Sequence, residues 1–182
     1  MSGNIILTGF SGTGKSSVGR AVAELQGWEL WDTDEEIVRV SGKSIADIFE
    51  EDGEPAFRYL EKEAVLLACE ESNVVVATGG GAIVDPDNYA AMAASGVIVC
   101  LDATPETIVA RLSASPEGEN APEERPMLAG TDPIERVREL KSQRQEHYDM
   151  AAFTVDTDGL SVEEAAREVV RQFRERTEPD HD

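Results

Sequence analysis

The sequence predicts an α/β fold, a three-layer α/β/α sandwich around a five-stranded parallel sheet. Five short, mostly apolar runs recur along the 182 residues and alternate with stretches of helical periodicity. Several of these runs, "VVVA" at 74–77 and "GVIVCL" at 96–101, have almost no polar position, as strands covered on both faces must. Glycines follow the first and third runs, at the strand ends where open α/β sheets bind ligands.

Residues 4–10, "NIILTGF", form the first strand, and Val18, Ala21, Val22 and Leu25 then recur at helical spacing between about Gly14 and Gln26. "WELWDTD" at 28–34 alternates and reads as the second strand. Residues 44–51 and 54–71 read as helices joined at "EDGEP". "NVVVATGGG" is a third strand with a glycine turn, and Pro86 opens a helix from its favoured first-turn position. The fourth strand is 96–102, followed by a helix capped by Thr104 with Pro105 next. Residues 113–131 break the rhythm with Pro, Gly and acids, the mark of a functional loop, and a mobile lid is expected there. A helix returns over 132–149, "AAFTVDT" is the fifth strand, a last helix spans 162–176, and 177–182 is expected to fray. No repeat or linker divides the chain, so 1–176 is expected to be a single domain.

Composition narrows the function. The net charge of −21 repels nucleic acid and anionic membranes, so neither is an expected partner. It also suits a salty cytoplasm, where screening weakens self-repulsion. No apolar run approaches the roughly 20 residues needed to span a bilayer. The N-terminus lacks the flank and cleavage site of a signal peptide, so a cytoplasmic protein is expected. Cys69 and Cys100 stand apart in apolar or helical context and read as free thiols.

"GFSGTGKSS" at 9–17 fits G-x-x-x-x-G-K-[ST] through Gly9, Gly14, Lys15 and Ser16, between a strand and a helix. The N–H groups of Gly12, Thr13, Gly14, Lys15, Ser16 and Ser17 can wrap a di- or triphosphate at the positive end of a helix. Lys15 reaches the β/γ-phosphates and the Ser16 hydroxyl ligates Mg²⁺. This is a nucleotide site. No N/T-K-x-D segment marks a GTPase. Asp102, ending "VIVCLD", is either a magnesium-shell residue or turn and cap chemistry leading into Thr104. Asp32 and Asp34 lie two apart in the predicted second strand and so share a face. One can hold Mg²⁺ through its water shell while the other accepts a proton from a substrate hydroxyl. In so acidic a chain they can also be solvated turn acids.

"GFSGTGKSS", "WDTDEEI", "SIADIFEEDGEPAFRYLE", "ATGGGAIV", "ERPML" and "VDT" occur in the order and spacing of the shikimate kinases. These are small P-loop kinases similar to the nucleoside monophosphate kinases. The resemblance covers about residues 4–175, and the block with Gly53, Glu54, Phe57 and Arg58 is its most selective part.

The resemblance implies phosphoryl transfer from MgATP to the 3-hydroxyl of shikimate, on the route to chorismate and the aromatic amino acids, by a monomer. It implies Ser16 and Asp32 on magnesium, Asp34 on the shikimate hydroxyls as candidate base, and an acceptor segment at about 33–61. Arg58 then pairs with the shikimate carboxylate, and Gly79, Gly80 and Gly81 line its pocket, a Cβ at Gly80 colliding with the ring. Arg125, in "RPML", resembles the lid arginine that swings over the phosphates; its other reading is an exposed loop arginine offsetting Glu123 and Glu124. Arg144, in "RQEHY", matches the family's R-x-P-x-Y arginine, which joins Arg58 on the carboxylate. Glu146 stands here where the proline belongs, so the helix is expected to run straight on to Tyr148. Arg111 resembles the arginine that packs over adenine, against a helix-surface ion pair.

The rival readings are a gluconate-type or nucleotide kinase and a nucleotide-responsive binding module. A nucleotide kinase should show a D-G-[FY]-P-R segment where this chain has "ATGGGAIVDP", and gluconate kinases lack the G-E-x-x-F-R and triple-glycine pair. The binding module fails to explain why Asp32, Asp34, Arg58 and Arg125 occur together.

Overall fold

The computed structural model describes residues 3–114 and 132–177. Strands β1 (Asn4–Thr8), β2 (Glu29–Asp32), β3 (Val74–Ala77), β4 (Gly96–Asp102) and β5 (Phe153–Asp156) form one sheet in the order β2-β3-β1-β4-β5. Every pairing is parallel. All five carboxyl ends therefore meet at one edge, where the first, second and third strands lead into the P-loop, Asp32 and the glycine turn.

Helices cover both faces: α1 (Lys15–Gln26), α2 (Thr33–Ser41), α3 (Ile45–Asp47), α4 (Glu54–Glu70), α5 (Pro86–Ser95), α6 (Pro105–Ala114), α7 (Pro133–Tyr148) and α8 (Val162–Thr177). The pleat divides the strands between two cores. Ile5, Leu7, Val75, Val99 and Leu101 pack with α1 and α8 through Val18, Val22, Val169 and Phe173. Ile6, Val74, Val76, Ile98 and Cys100 pack on the other face with α4 to α7 through Val65, Met92, Ile108 and Leu140. Each fully buried Ile or Leu contributes roughly 1.5–3 kcal/mol, which explains the apolar runs read in the sequence. Burial lifts the Cys100 thiol to about 12, and both cysteines are free. No helix among the described residues is long and apolar enough to cross a membrane.

Two elements differ from expectation. The second strand stops at Asp32, because the Asp32 carboxylate accepts from Asp34 N at 3.0 Å and Glu35 N at 3.3 Å and so starts α2. Asp34 therefore belongs to a first helical turn, not to an extended run beside Asp32. Residues 44–51 are not one α-helix either. Ser44 caps three residues of α3, which widens into a π-helical turn, Ile48–Asp52, closed by Gly53 N to Ile48 O at 2.9 Å. The helix α6 takes in residues 113 and 114 of the expected lid, and α8 ends at Thr177; residues 115–131 and 178–182 lie outside the described residues.

Charge dominates the surface. Arg171 with Glu168 and Glu175, and Arg136 with Glu139, are pairs within one helix, each contributing a few tenths of a kcal/mol. With 37 acids against 16 bases, carboxylates outnumber the cations available to pair with them by more than two to one. Raising KCl from about 0.1 M to about 2 M, which shortens the Debye length to a few ångströms, is expected to raise Tm by about 5 °C or more. Thermal melts across that series check it; a flat or falling Tm would show the repulsion to be negligible.

Candidate active site

The nucleotide side begins where β1 meets the P-loop. Gly9 has φ 132°, and a Cβ there would lie 2.1 Å from Leu101 O, so the loop can leave the sheet only through glycine. Thr13 Oγ1 donates to Phe10 O at 2.8 Å and folds the loop on itself. Lys15 Nζ donates to Gly9 O at 2.8 Å and Phe10 O at 2.9 Å, which holds its ammonium over the loop. Beyond Gly12, Thr13, Gly14 and Ser17 opens a cleft of about 580 Å³, bounded also by Arg111 and Thr157.

Arg111 is not in a helix-surface ion pair among the described residues. Its guanidinium donates to Thr157 Oγ1 and Thr157 O, both at 2.9 Å, with longer contacts to Thr13 O and Gly12 O. It thus joins α6, the loop after β5 and the P-loop at the rim of the cleft. Asp158 reinforces that junction by accepting from Thr104 N at 3.0 Å, and its bonds to Thr107 and Thr104 hold its carboxyl below the usual range. The buried Thr157 ends the "VDT" segment that matched the family in sequence, but nothing in that segment assigned the threonine itself a role.

Ser16 Oγ donates to Asp32 Oδ2 at 2.6 Å, while Oδ1 caps α2. A hydroxyl and a carboxylate already in contact beside a phosphate loop are the hard oxygen donors that magnesium takes. Asp102 has another partner. It pairs with Lys141 Nζ at 2.7 Å, and the same ammonium donates to Ala103 O at 2.8 Å, fastening α7 to the end of β4. The cap of α6 comes instead from Thr104 Oγ1, which accepts from Thr107 N.

The acceptor side centres on the glycine turn after β3. None of the three glycines has a left-handed φ; what they share is close approach. A Cβ on Gly79 would lie 2.6 Å from Glu61 Oε1 and 3.2 Å from Asp34 Oδ1. One on Gly81 would lie 2.9 Å from Arg58 Nη1. One on Gly80 would press on the P-loop backbone, 3.2 Å from Ser11 N and 3.4 Å from Gly9 O. A Cβ at Gly80 would therefore meet the P-loop backbone, where the expected neighbour was the substrate ring, so the glycine turn packs directly on the P-loop.

Arg58, on α4, donates to Glu61 Oε2 at 2.8 Å and to Glu54 at 3.3 Å. The Glu61 side chain is only 3% exposed. In a chain with 37 acids, one more glutamate on an amphipathic helix gave no signal. Arg144 comes from α7, which runs unbroken through Glu146 to Tyr148 as expected. Its guanidinium lies over the Phe10 ring, 5.6 Å from the centroid, and lines with Arg58, Gly81 and Asn88 a second cleft of about 430 Å³. Asp34, Arg58, Arg144 and the glycine turn, far apart in sequence, are thus gathered beside the P-loop. Arg125 lies outside the described residues.

A cleft bordered by the P-loop and a second cleft lined by two arginines have the layout of a small-molecule kinase, and known proteins agree. The family model described as "Shikimate kinase" matches residues 11–174. The curated shikimate kinase of Caldanaerobacter subterraneus is 42% identical over 170 residues, 93% of this chain and 95% of that one. That of Geobacter metallireducens is 42% identical over 166 residues, 91% of this chain and 89% of its own. The solved shikimate kinase of Acinetobacter baumannii, in complex with shikimate, superposes with a TM-score of 0.86 at 31% identity, covering 97% of this chain and 96% of that one. A deoxyadenosine kinase from M. mycoides, at 14% identity and a TM-score of 0.58, shares the fold alone. With a match that takes in the P-loop from Ser11, the acceptor helices and the loop after β5 together, the chain belongs to the shikimate kinase family of ATP-dependent phosphotransferases.

Proposed function

We propose that the chain transfers the γ-phosphoryl group of ATP to the 3-hydroxyl of shikimate, giving shikimate 3-phosphate and ADP. The observation that carries this reading is the convergence of Arg58 and Arg144 on one cleft with Gly81, beside Asp34 and against the P-loop. Two guanidiniums suit a carboxylate, and the neighbouring acid suits a hydroxyl proton.

In this reading Lys15 exchanges its loop carbonyls for the β- and γ-phosphates. Arg111 and Thr157 border the cleft that takes the base. Ser16 and Asp32 hold magnesium, which when bound neutralises charge developing on the phosphates. Arg58 and Arg144 fix the carboxylate, and with it the ring. The 3-oxygen then forms a bond to the γ-phosphorus as the bond to the β,γ-bridging oxygen breaks. Its proton passes to Asp34, and the bonding pair leaves with ADP. Most of the rate gain in such a transfer comes from holding the two reactants in line. Arg125, an acceptor part at 33–61 and a monomer enter the reading on sequence resemblance alone, and the lid segment, a single domain over 1–176 and a cytoplasmic location on the reading of the sequence.

A coupled ADP-release assay with shikimate, gluconate and AMP in parallel tests the acceptor. Turnover with shikimate alone is expected, and activity only with another acceptor would overturn the assignment. The glycine turn supplies a finer check. Gly80→Ala pushes on the P-loop backbone and is expected to raise KM for both substrates. Gly81→Ala meets the end of a flexible arginine and is expected to raise KM for shikimate alone. Steady-state kinetics on the two variants separate these outcomes, and a matching profile would deny that Gly80 acts through the P-loop.

A further inference from the structure

Three buried side chains from three different helices converge on the four residues of the glycine turn. Gly79 N–H donates to Thr33 Oγ1 at 3.1 Å, Tyr148 O–H donates to Gly80 O at 2.8 Å, and Asn88 Nδ2 donates to Ala82 O at 3.0 Å. Thr33, Tyr148 and Asn88 are 1%, 2% and 1% exposed. Within the turn Gly79 O accepts from Ala82 N, and Gly81 O accepts from Val84 N. These bonds occupy the carbonyls of residues 79 to 82, and the N–H groups of Gly80 and Gly81 are the ones left for a ligand among the described residues.

A trans peptide is planar, so its C=O and the following N–H point in opposite directions. Holding Gly80 O towards Tyr148 therefore turns Gly81 N–H away from α7. Holding Gly79 O inside the turn likewise fixes the direction of Gly80 N–H. Glycine has no side chain to resist a peptide flip, so three in a row cannot keep these directions unaided.

We infer that Tyr148 is a positioning residue for acceptor binding, its hydroxyl fixing the Gly80–Gly81 peptide so that Gly81 N–H is presented to the acceptor. Thr33 and Asn88 anchor the two ends of the same turn. Tyr148 lies one helical turn beyond Arg144 on the unbroken α7, so one rigid element sets both the arginine and the peptide. The inference rests on shikimate being the acceptor.

The test is steady-state kinetics, with ATP and shikimate each varied, on wild type, Tyr148→Phe, Thr33→Val and Thr33→Ser. Tyr148→Phe keeps the buried ring and removes the hydroxyl that donates to Gly80 O. Its KM for shikimate is expected to rise about fivefold, the scale of one lost hydrogen bond, with kcat and the KM for ATP within about twofold. Thr33→Val is expected to behave alike, and Thr33→Ser, which keeps the accepting oxygen, to return most of the KM. An unchanged shikimate KM in Tyr148→Phe, or equal rises for both substrates, overturns the inference; equal rises would mean general loosening. A wild-type chain inactive with shikimate would instead defeat the functional reading beneath it.

Discussion

Replacing Asp34 by asparagine is expected to lower kcat about 100-fold or more while leaving both KM values within about threefold. The substitution is nearly isosteric. The Asp34 backbone N–H still bonds the Asp32 carboxylate, so α2 keeps its cap and Ser16 keeps its partner. What changes is the capacity to take a proton at the face of Gly79, where Asp34 Oδ1 approaches within 3.2 Å of the would-be Cβ. An amide there can still orient a hydroxyl, and a loss confined to kcat would identify a base rather than a binding group. Single-turnover measurements with enzyme in excess distinguish slower chemistry from slower product release. A kcat within threefold of wild type would remove Asp34 from proton transfer, and a large rise in shikimate KM with kcat intact would reassign it to binding. Glu61, on the other side of Gly79, is too near to ignore as a substitute base; Asp34→Asn combined with Glu61→Gln shows whether residual turnover passes through it.

What could be read in the chain depended on whether the chemistry lay in consecutive residues. The P-loop was legible because its strand, glycines, lysine and serine are neighbours in sequence and their spacing is itself the geometry. The parallel sheet was legible because double burial leaves almost no polar position in β3 and β4. Asp34 was expected to share a strand face with Asp32, and the structure places it in a helix instead. Alternation through "WELWDTD" suggested a strand to 34, whereas Asp32 followed three residues later by Glu35 is the pattern of a helix start, and it prevailed. The glycine triplet announced a close approach, expected to be that of the substrate ring, and contact with Ser11 becomes visible only when β3 is laid beside β1. Glu61, Thr157 and Tyr148 lie inside stretches that matched the family, yet their roles could not be read there. Thr157 and Tyr148 bond groups far away in sequence, Glu61 borders Gly79 as well as Arg58, and nothing in composition or periodicity distinguishes such a residue from an ordinary surface acid, turn threonine or core tyrosine.

Arg58→Ala is the second large effect, and it needs a companion variant to be interpretable. Arg58 is 35% exposed, whereas its partner Glu61 is 3% exposed, with 2.8 Å between guanidinium and carboxylate. Removing the arginine takes away the acceptor carboxylate's partner and also leaves Glu61 with one cation fewer in a dry place. The first loss is expected to raise KM for shikimate more than about tenfold, as for a charge-assisted pair. The second is expected to lower stability by about 1–3 kcal/mol, discounted from the full cost of a broken buried pair because Arg58 is partly solvated. A raised KM alone could therefore come from a damaged fold. Arg58→Ala combined with Glu61→Gln separates the two, because a neutral amide tolerates burial better than a carboxylate. In the double variant Tm is expected to recover most of its loss, while the shikimate KM stays raised and the KM for ATP remains within about twofold of wild type. If the shikimate KM recovered together with Tm, Arg58 would be a structural partner of Glu61 and no more, and the carboxylate would have to be held by Arg144 alone.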